Sequence, residues 1–111
     1  MIIESENLQS VCVVTINGKM DVHSTPVFLE FVDKLTNNKQ YKIIVDMGKV
    51  DFISSYGLGA LANLLRNSQG NGGNVALVAL NPDVTTSFEV TGLLSKFLVF
   101  KTKDEALKSF T

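Results

Sequence analysis

Val50-Asp-Phe-Ile-Ser-Ser-Tyr-Gly-Leu-Gly-Ala-Leu61, continued by Ala62, is the stretch on which the reading of this chain turns. Before it, Tyr41 to Asp46 is an apolar run with the look of a buried strand. After it, Leu58, Leu61, Ala62 and Leu65 recur at helical spacing. Ser54 and Ser55 therefore fall at a strand-to-helix junction. A serine there can cap the helix by accepting a hydrogen bond from a free amide of the first turn. It can equally carry a phosphate, because the dianion would face unpaired amides and the positive end of the helix dipole.

Outward from that junction the chain alternates between strand and helix. Ile2 to Ser5 reads as an edge strand and Val11 to Ile16 as a central one ending in the turn pair Asn17-Gly18, so a hairpin or ribbon is expected at the start. Thr25-Pro26 supplies a cap and a first-turn proline. The helix that follows sets Val27, Phe28, Phe31, Val32 and Leu35 on one face and stops near Asn37-Asn38. Lys42 to Asp46 is the next strand, and the helix after the serines runs to about Asn67. Gly70 to Gly73 then turns the chain into Val75 to Leu80, a strand buried on both faces. Asn81-Pro82 opens a short helix to Thr91 that Gly92 closes. Leu98 to Phe100 is a last strand, and Thr102-Lys-Asp-Glu105 is a capping box for a C-terminal helix that turns Ala106, Leu107 and Phe110 inward. Strands separated by single helices predict one α/β domain over residues 1–111: a mixed, mostly parallel sheet of four to five strands packed with about four helices.

Composition narrows the function. A chain of 111 residues is long enough to bury a core without staples, and a 45% hydrophobic, 19% charged composition is that of a globular domain. A formal charge of −1 offers no basic field for a phosphate backbone, which argues against nucleic acid as a partner. Cys12 is the lone cysteine, so no intrachain disulfide can form, and it reads as a small buried strand residue in a reducing compartment. The N-terminus carries no signal-peptide pattern, and the longest apolar run, Val75 to Leu80, is too short to span a bilayer. A cytoplasmic protein is expected.

Most catalytic motifs can be set aside on their context. The Gly70 to Gly73 cluster lacks the Lys-Ser/Thr of a phosphate loop and joins helix to strand rather than strand to helix. Gly57-Leu-Gly59-Ala-Leu-Ala62 fits a loose dinucleotide fingerprint with Asp83 as a ribose ligand. In such sites, however, the glycines follow the strand at once, and here ten residues lie between Asp46 and Gly57. Small residues at 57, 59, 60 and 62 are read instead as close packing of the helix on its sheet. His23 is the only histidine, and with Cys12 alone it completes neither a metal site nor an acyl-transfer triad. Asp21, Asp46 and Asp51 are read as caps and turn formers rather than metal ligands. No metal, no cofactor and no enzymatic activity are expected.

The segment from Val50 to Leu61 resembles the signature of STAS domains, the family of anti-sigma factor antagonists, in which an apolar strand end leads through Asp-Ser-Ser-Gly-Leu or Ser-Ser-Ala-Gly-Leu into a helix. The likeness extends over nearly the whole chain. Gly18-Lys-Met-Asp21 resembles that family's Gly-x-Leu-Asp, Ile43 to Asp46 its Val-Leu-Asp strand, and Thr91-Gly-Leu-Leu94 with Phe97 and Lys103 to Leu107 its C-terminal end. This chain has Ser54 where the family often has Asp, and Tyr56 where it usually has Ser or Ala.

The resemblance implies a non-catalytic switch. Such a protein binds an anti-sigma factor that is itself a serine kinase, so freeing a sigma factor, and is switched off when the kinase phosphorylates its serine with ATP. A phosphatase restores it. Aligned on Gly57-Leu58, the target is Ser55, with Asp21, Ser54, Tyr56, Gly57 and Leu58 as the surrounding partner-binding surface. Two other readings remain open at this level: an unphosphorylated STAS subunit of a transporter ATPase or signalling scaffold, and a small nucleotide-binding domain. Nucleotide titration of the isolated protein discriminates the last.

Overall fold

A computed structural model describes residues 1–111. β1 (Ile2–Leu8) and β2 (Val11–Asn17) form an antiparallel hairpin, and β3 (Lys42–Lys49), β4 (Asn74–Val78) and β5 (Leu98–Phe100) add in parallel, giving a five-stranded sheet in sequence order. The mixed, mostly parallel sheet expected from the alternation is present. Ile43, Ile44 and Val45 in β3 and Val75 to Leu77 in β4 are fully buried on both faces, which explains their unbroken apolar runs.

Four helices complete the fold: α1 (Thr25–Asn37), α2 (Ser55–Gly70), α3 (Pro82–Val90) and α4 (Lys103–Ser109). α1, α2 and α3 share the main core, where Phe28, Val32, Leu61, Leu65, Val84 and Phe88 meet the odd-numbered residues of β3. Phe88 and Phe97 stack edge to face at 5.7 Å between ring centres. On the other face α4 lays Ala106 over Val11, Val13, Ile44, Ala76 and Val78. Thr102 caps that helix, its Oγ1 accepting from the Glu105 amide at 3.2 Å.

Several boundaries move. The first strand runs to Leu8 rather than Ser5, because the hairpin turns at Gln9-Ser10, two non-glycine residues with φ of 54° and 69°. The fourth strand ends at Val78, since Ala79 at φ 61° breaks the extended run. Val27 is 51% exposed and not on the inner face of α1; the buried line is Thr25, Phe28 and Val32, one helical step away. Thr25 is no cap either: it is the first helical residue, wholly buried, donating its hydroxyl to the Asp21 carbonyl at 2.6 Å.

Candidate functional site

The serine junction is built by lacing two loops together. After a register shift between Thr15 and Asn17, the chain leaving β2 keeps pace with the loop leaving β3. Gly18 donates its amide to Lys49 O at 3.0 Å, Met20 to Phe52 O at 2.9 Å, and Ser54 donates back to Met20 O at 2.8 Å. Met20 and Ile53 thus form an isolated parallel bridge and are both buried. That bridge brings Asp21 and Val22 to the mouth of α2. Gly57 makes the approach possible: a Cβ there would lie 2.9 Å from Ile53 Cγ1 and 3.1 Å from the Met20 carbonyl oxygen.

The two serines, which periodicity alone does not tell apart, differ in the structure. Ser54 is the N-cap of α2, its Oγ accepting from the Gly57 amide at 3.2 Å while its carbonyl accepts from Leu58 at 2.9 Å. Ser55 is the first helical residue, is exposed, and its hydroxyl has no partner within the protein. The amides of Ser55 and Tyr56 are also unbonded, leaving two free donors at the start of the helix. No acidic residue occupies this first turn.

The other expected site residues divide by depth. Tyr56 is 45% exposed and flanks Ser55 directly. Asp21 is partly exposed, and its Oδ1 accepts from the Ser24 amide at 2.8 Å and the His23 amide at 3.0 Å. The Ser24 amide chiefly, with the Ser24 hydroxyl and the His23 amide, holds the Asp21 carboxyl below the usual carboxylate range. Gly57 and Leu58 do not face solvent: Leu58 is 5% exposed and belongs to the core, because at helical spacing it falls on the same side as Leu61 and Leu65. Both residues seat the start of α2 against the core.

Three features escape the sequence reading. Phe52, 47% exposed, and Val22, 63% exposed, are further exposed apolar residues in the two loops laced together before α2, and Lys19 lies 5.9 Å from the Phe52 ring centre while pairing with Asp51 at 3.5 Å. Asn81 both caps α3, accepting from Val84 N at 2.8 Å, and braces the serine loop by donating to Val50 O at 3.0 Å. The Asn-Pro pair signalled the cap, but nothing local signalled a contact across 31 positions. Gly59 is exposed, and a Cβ there would meet nothing within 4 Å, so packing on the sheet explains Gly57 but not Gly59. The three aspartates are separately engaged, Asp21 with the Ser24 amide, Asp46, which lies within β3, with Gly48 N at 2.9 Å, and Asp51 with Lys19.

A five-stranded mixed sheet with four helices, presenting an exposed and uncommitted hydroxyl at the start of the helix after its third strand, defines a small α/β domain. The STAS domain profile matches residues 3–106, and the chain belongs to the STAS family. An anti-sigma F factor antagonist of Paenibacillus polymyxa is 24% identical over 106 residues, 95% of this chain and 91% of that protein. A TM1081 homologue of Thermotoga neapolitana, provisionally named an anti-sigma factor antagonist, is 28% identical over 102 residues, 91% and 90% of the two chains. The crystal structure of an anti-sigma factor antagonist from Mycobacterium paratuberculosis superposes with a TM-score of 0.89 at 25% identity, over 97% of this chain and 92% of that one.

Proposed function

We propose that this protein is an anti-sigma factor antagonist whose partner is an anti-sigma factor of the serine-kinase type, and that phosphorylation of Ser55 ends their complex. The observation that carries the reading is the division of labour at the junction: Ser54 is consumed as the cap, whereas Ser55 is exposed and unbonded. The proposed docking surface is the Asp21–Val22 loop together with Ser55, Tyr56 and Phe52, an apolar rim around a small polar centre. Ser54, Gly57 and Leu58 serve it by fixing the start of α2.

In the transfer, the Ser55 oxygen attacks the γ-phosphorus of ATP held by the kinase, the bond to the β-phosphate oxygen breaks, the hydroxyl proton leaves to a base on the kinase, and ADP departs. The product adds about −1.5 to −2 charges at pH 7. Within this domain the phosphate faces the free Ser55 and Tyr56 amides, a favourable placement of about 0.3–1 kcal/mol. Against an acidic or closely packed partner surface the same charge costs several kcal/mol. A phosphatase reverses the modification. This reading has the protein act in the cytoplasm beside its kinase, without catalysis of its own; no helix is long and apolar enough to cross a membrane.

Incubation with the host's candidate kinase and ATP, followed by phosphosite mapping, tests the assignment. Label is expected on Ser55 and not on Ser54, Ser55→Ala should bind the kinase constitutively, and Ser55→Asp should fail to bind. An unlabelled Ser55 together with undiminished binding by Ser55→Asp would overturn it.

A further inference from the structure

The end of the sheet away from Ser55 carries a second polar concavity. The β1–β2 turn, the α1–β3 connection and the α2–β4 turn border an open surface concavity of about 440 Å³, within the size range of small-molecule sites. β3 begins at this end with Lys42 and finishes at Lys49 near the serine loop, so its eight residues hold the two regions roughly 20 Å apart. Two turns are pressed together here. Asn74 donates its amide to Tyr41 O at 3.0 Å, and any side chain at Gly73 would run into that carbonyl, so the wall is fixed by backbone.

The wall is rich in unused donors. Lys39 and Lys42 both line it, no acidic residue does, and the one ion pair of the protein is Lys19 with Asp51, far along the chain from either. Ser10, Asn7 and Tyr41 also line it with side chains that make no hydrogen bond within the protein, as does Gln40, whose Oε1 is buried without a partner. Two ammonium groups and these neutral donor groups around one opening, with no carboxylate to satisfy them, match a ligand that carries several acceptor oxygens and negative charge.

We propose that this concavity binds a phosphate ester or diphosphate group, with Lys39 and Lys42 as the charge partners and Ser10, Asn7 and Tyr41 donating to its oxygens. Both lysines are exposed, so binding is modest and weakens with salt. The site is independent of the Ser55 switch and makes no use of it.

Titration of ¹⁵N-labelled protein with inorganic pyrophosphate at low ionic strength tests the proposal. Saturable shifts are expected at the amides of Ser10, Lys39 to Lys42 and Asn71 to Gly73, half-complete at about millimolar concentration and fading as NaCl is added. The variant pairs Lys39→Asn with Lys42→Gln; asparagine suits residue 39, whose φ is 61°. It should keep a native spectrum and bind about tenfold more weakly or worse, whereas Lys34→Gln on α1 should bind as wild type. Sedimentation with vesicles of phosphatidic acid in phosphatidylcholine, abolished by the double variant, assigns the phosphate to a lipid headgroup; pyrophosphate saturation without sedimentation assigns it to a soluble molecule. Shifts that never saturate, that fall elsewhere, or that respond equally to Lys34→Gln would overturn the site.

Discussion

Replacing Gly59 with alanine should stabilise this protein, and the same change two residues earlier, at Gly57, should damage it. Both glycines lie in the first turns of α2, and helix propensity alone predicts an equal gain of about 0.5–1 kcal/mol for each. Their surroundings differ. At Gly59 a new Cβ meets nothing within 4 Å, so the propensity gain is realised in full. With an unfolding entropy near 2.1 cal/mol/K per residue, that is a rise of roughly 2–4 °C in Tm for this chain. At Gly57 the Cβ would press on Ile53 Cγ1 at 2.9 Å and on Met20 Cβ and its carbonyl oxygen at 3.1 Å. The carbonyl cannot retreat without loosening its bond from Ser54 N, so overpacking of about 1–3 kcal/mol outweighs the propensity term. The net is a loss of about 0.5–2 kcal/mol. Urea and thermal melts followed by far-UV circular dichroism measure both variants. A destabilised Gly59→Ala, or a Gly57→Ala as stable as wild type, would refute the packing argument at the site.

The serines give a second contrast: Ser54→Ala should lose about 0.5–2 kcal/mol with the cap, and Ser55→Ala should stay within about 0.5 kcal/mol of wild type, as read from urea midpoints. Reversed magnitudes would mean that Ser55 is the structural hydroxyl. Asp21 gives a pH dependence. Its folded pKa lies below the unfolded value of about 3.9, so its stabilising contribution is present above that pH and is lost as the pH falls through the folded value. Asp21→Asn should therefore be less stable than wild type at pH 7, with the gap narrowing as the pH falls below the ordinary carboxylate range; an unchanged gap would show that the carboxylate charge is idle. Burial pushes the Cys12 thiol up, with a partly opposing hydrogen bond from Ser5, so alkylation by iodoacetamide at pH 8 should be slow in the native state and fast in urea. Rapid native labelling would place that thiol at the surface.

What could be read from the sequence was whatever a short window encodes. Val75 to Leu77 announced a doubly buried strand by being uniformly apolar, and Thr102 with Glu105 announced a helix start by spacing. The hairpin turn at Gln9-Ser10 gave no such signal, because it places two ordinary residues at positive φ where glycine or asparagine is the usual marker. Val27 was misplaced because an apolar residue beside Phe28 is indistinguishable in sequence from one beneath it. Which serine caps α2 depends on one hydrogen bond to Gly57 and so on the phase of a single turn, a matter of one residue that periodicity does not resolve. Phe52, Val22 and Asn81 joined the site only through the Met20–Ile53 bridge and the contact to Val50 O, both long-range.

That single-residue phase is also what would make the proposed charge switch at Ser55 workable. Were the cap itself the acceptor, adding a phosphate would remove the Gly57 hydrogen bond, and the conformational penalty would fall on the protein as well as on its complex. With Ser54 holding the cap, Gly57 seating the helix against Met20 and Asn81 bracing the loop, the modified residue carries none of the local framework. Under the proposed phosphorylation of Ser55, the new charge would act in two unequal places. Inside the domain it gains about 0.3–1 kcal/mol from free amides, and at an apposed surface it costs several kcal/mol, enough to change occupancy by about a hundredfold or more while the fold is left as it was.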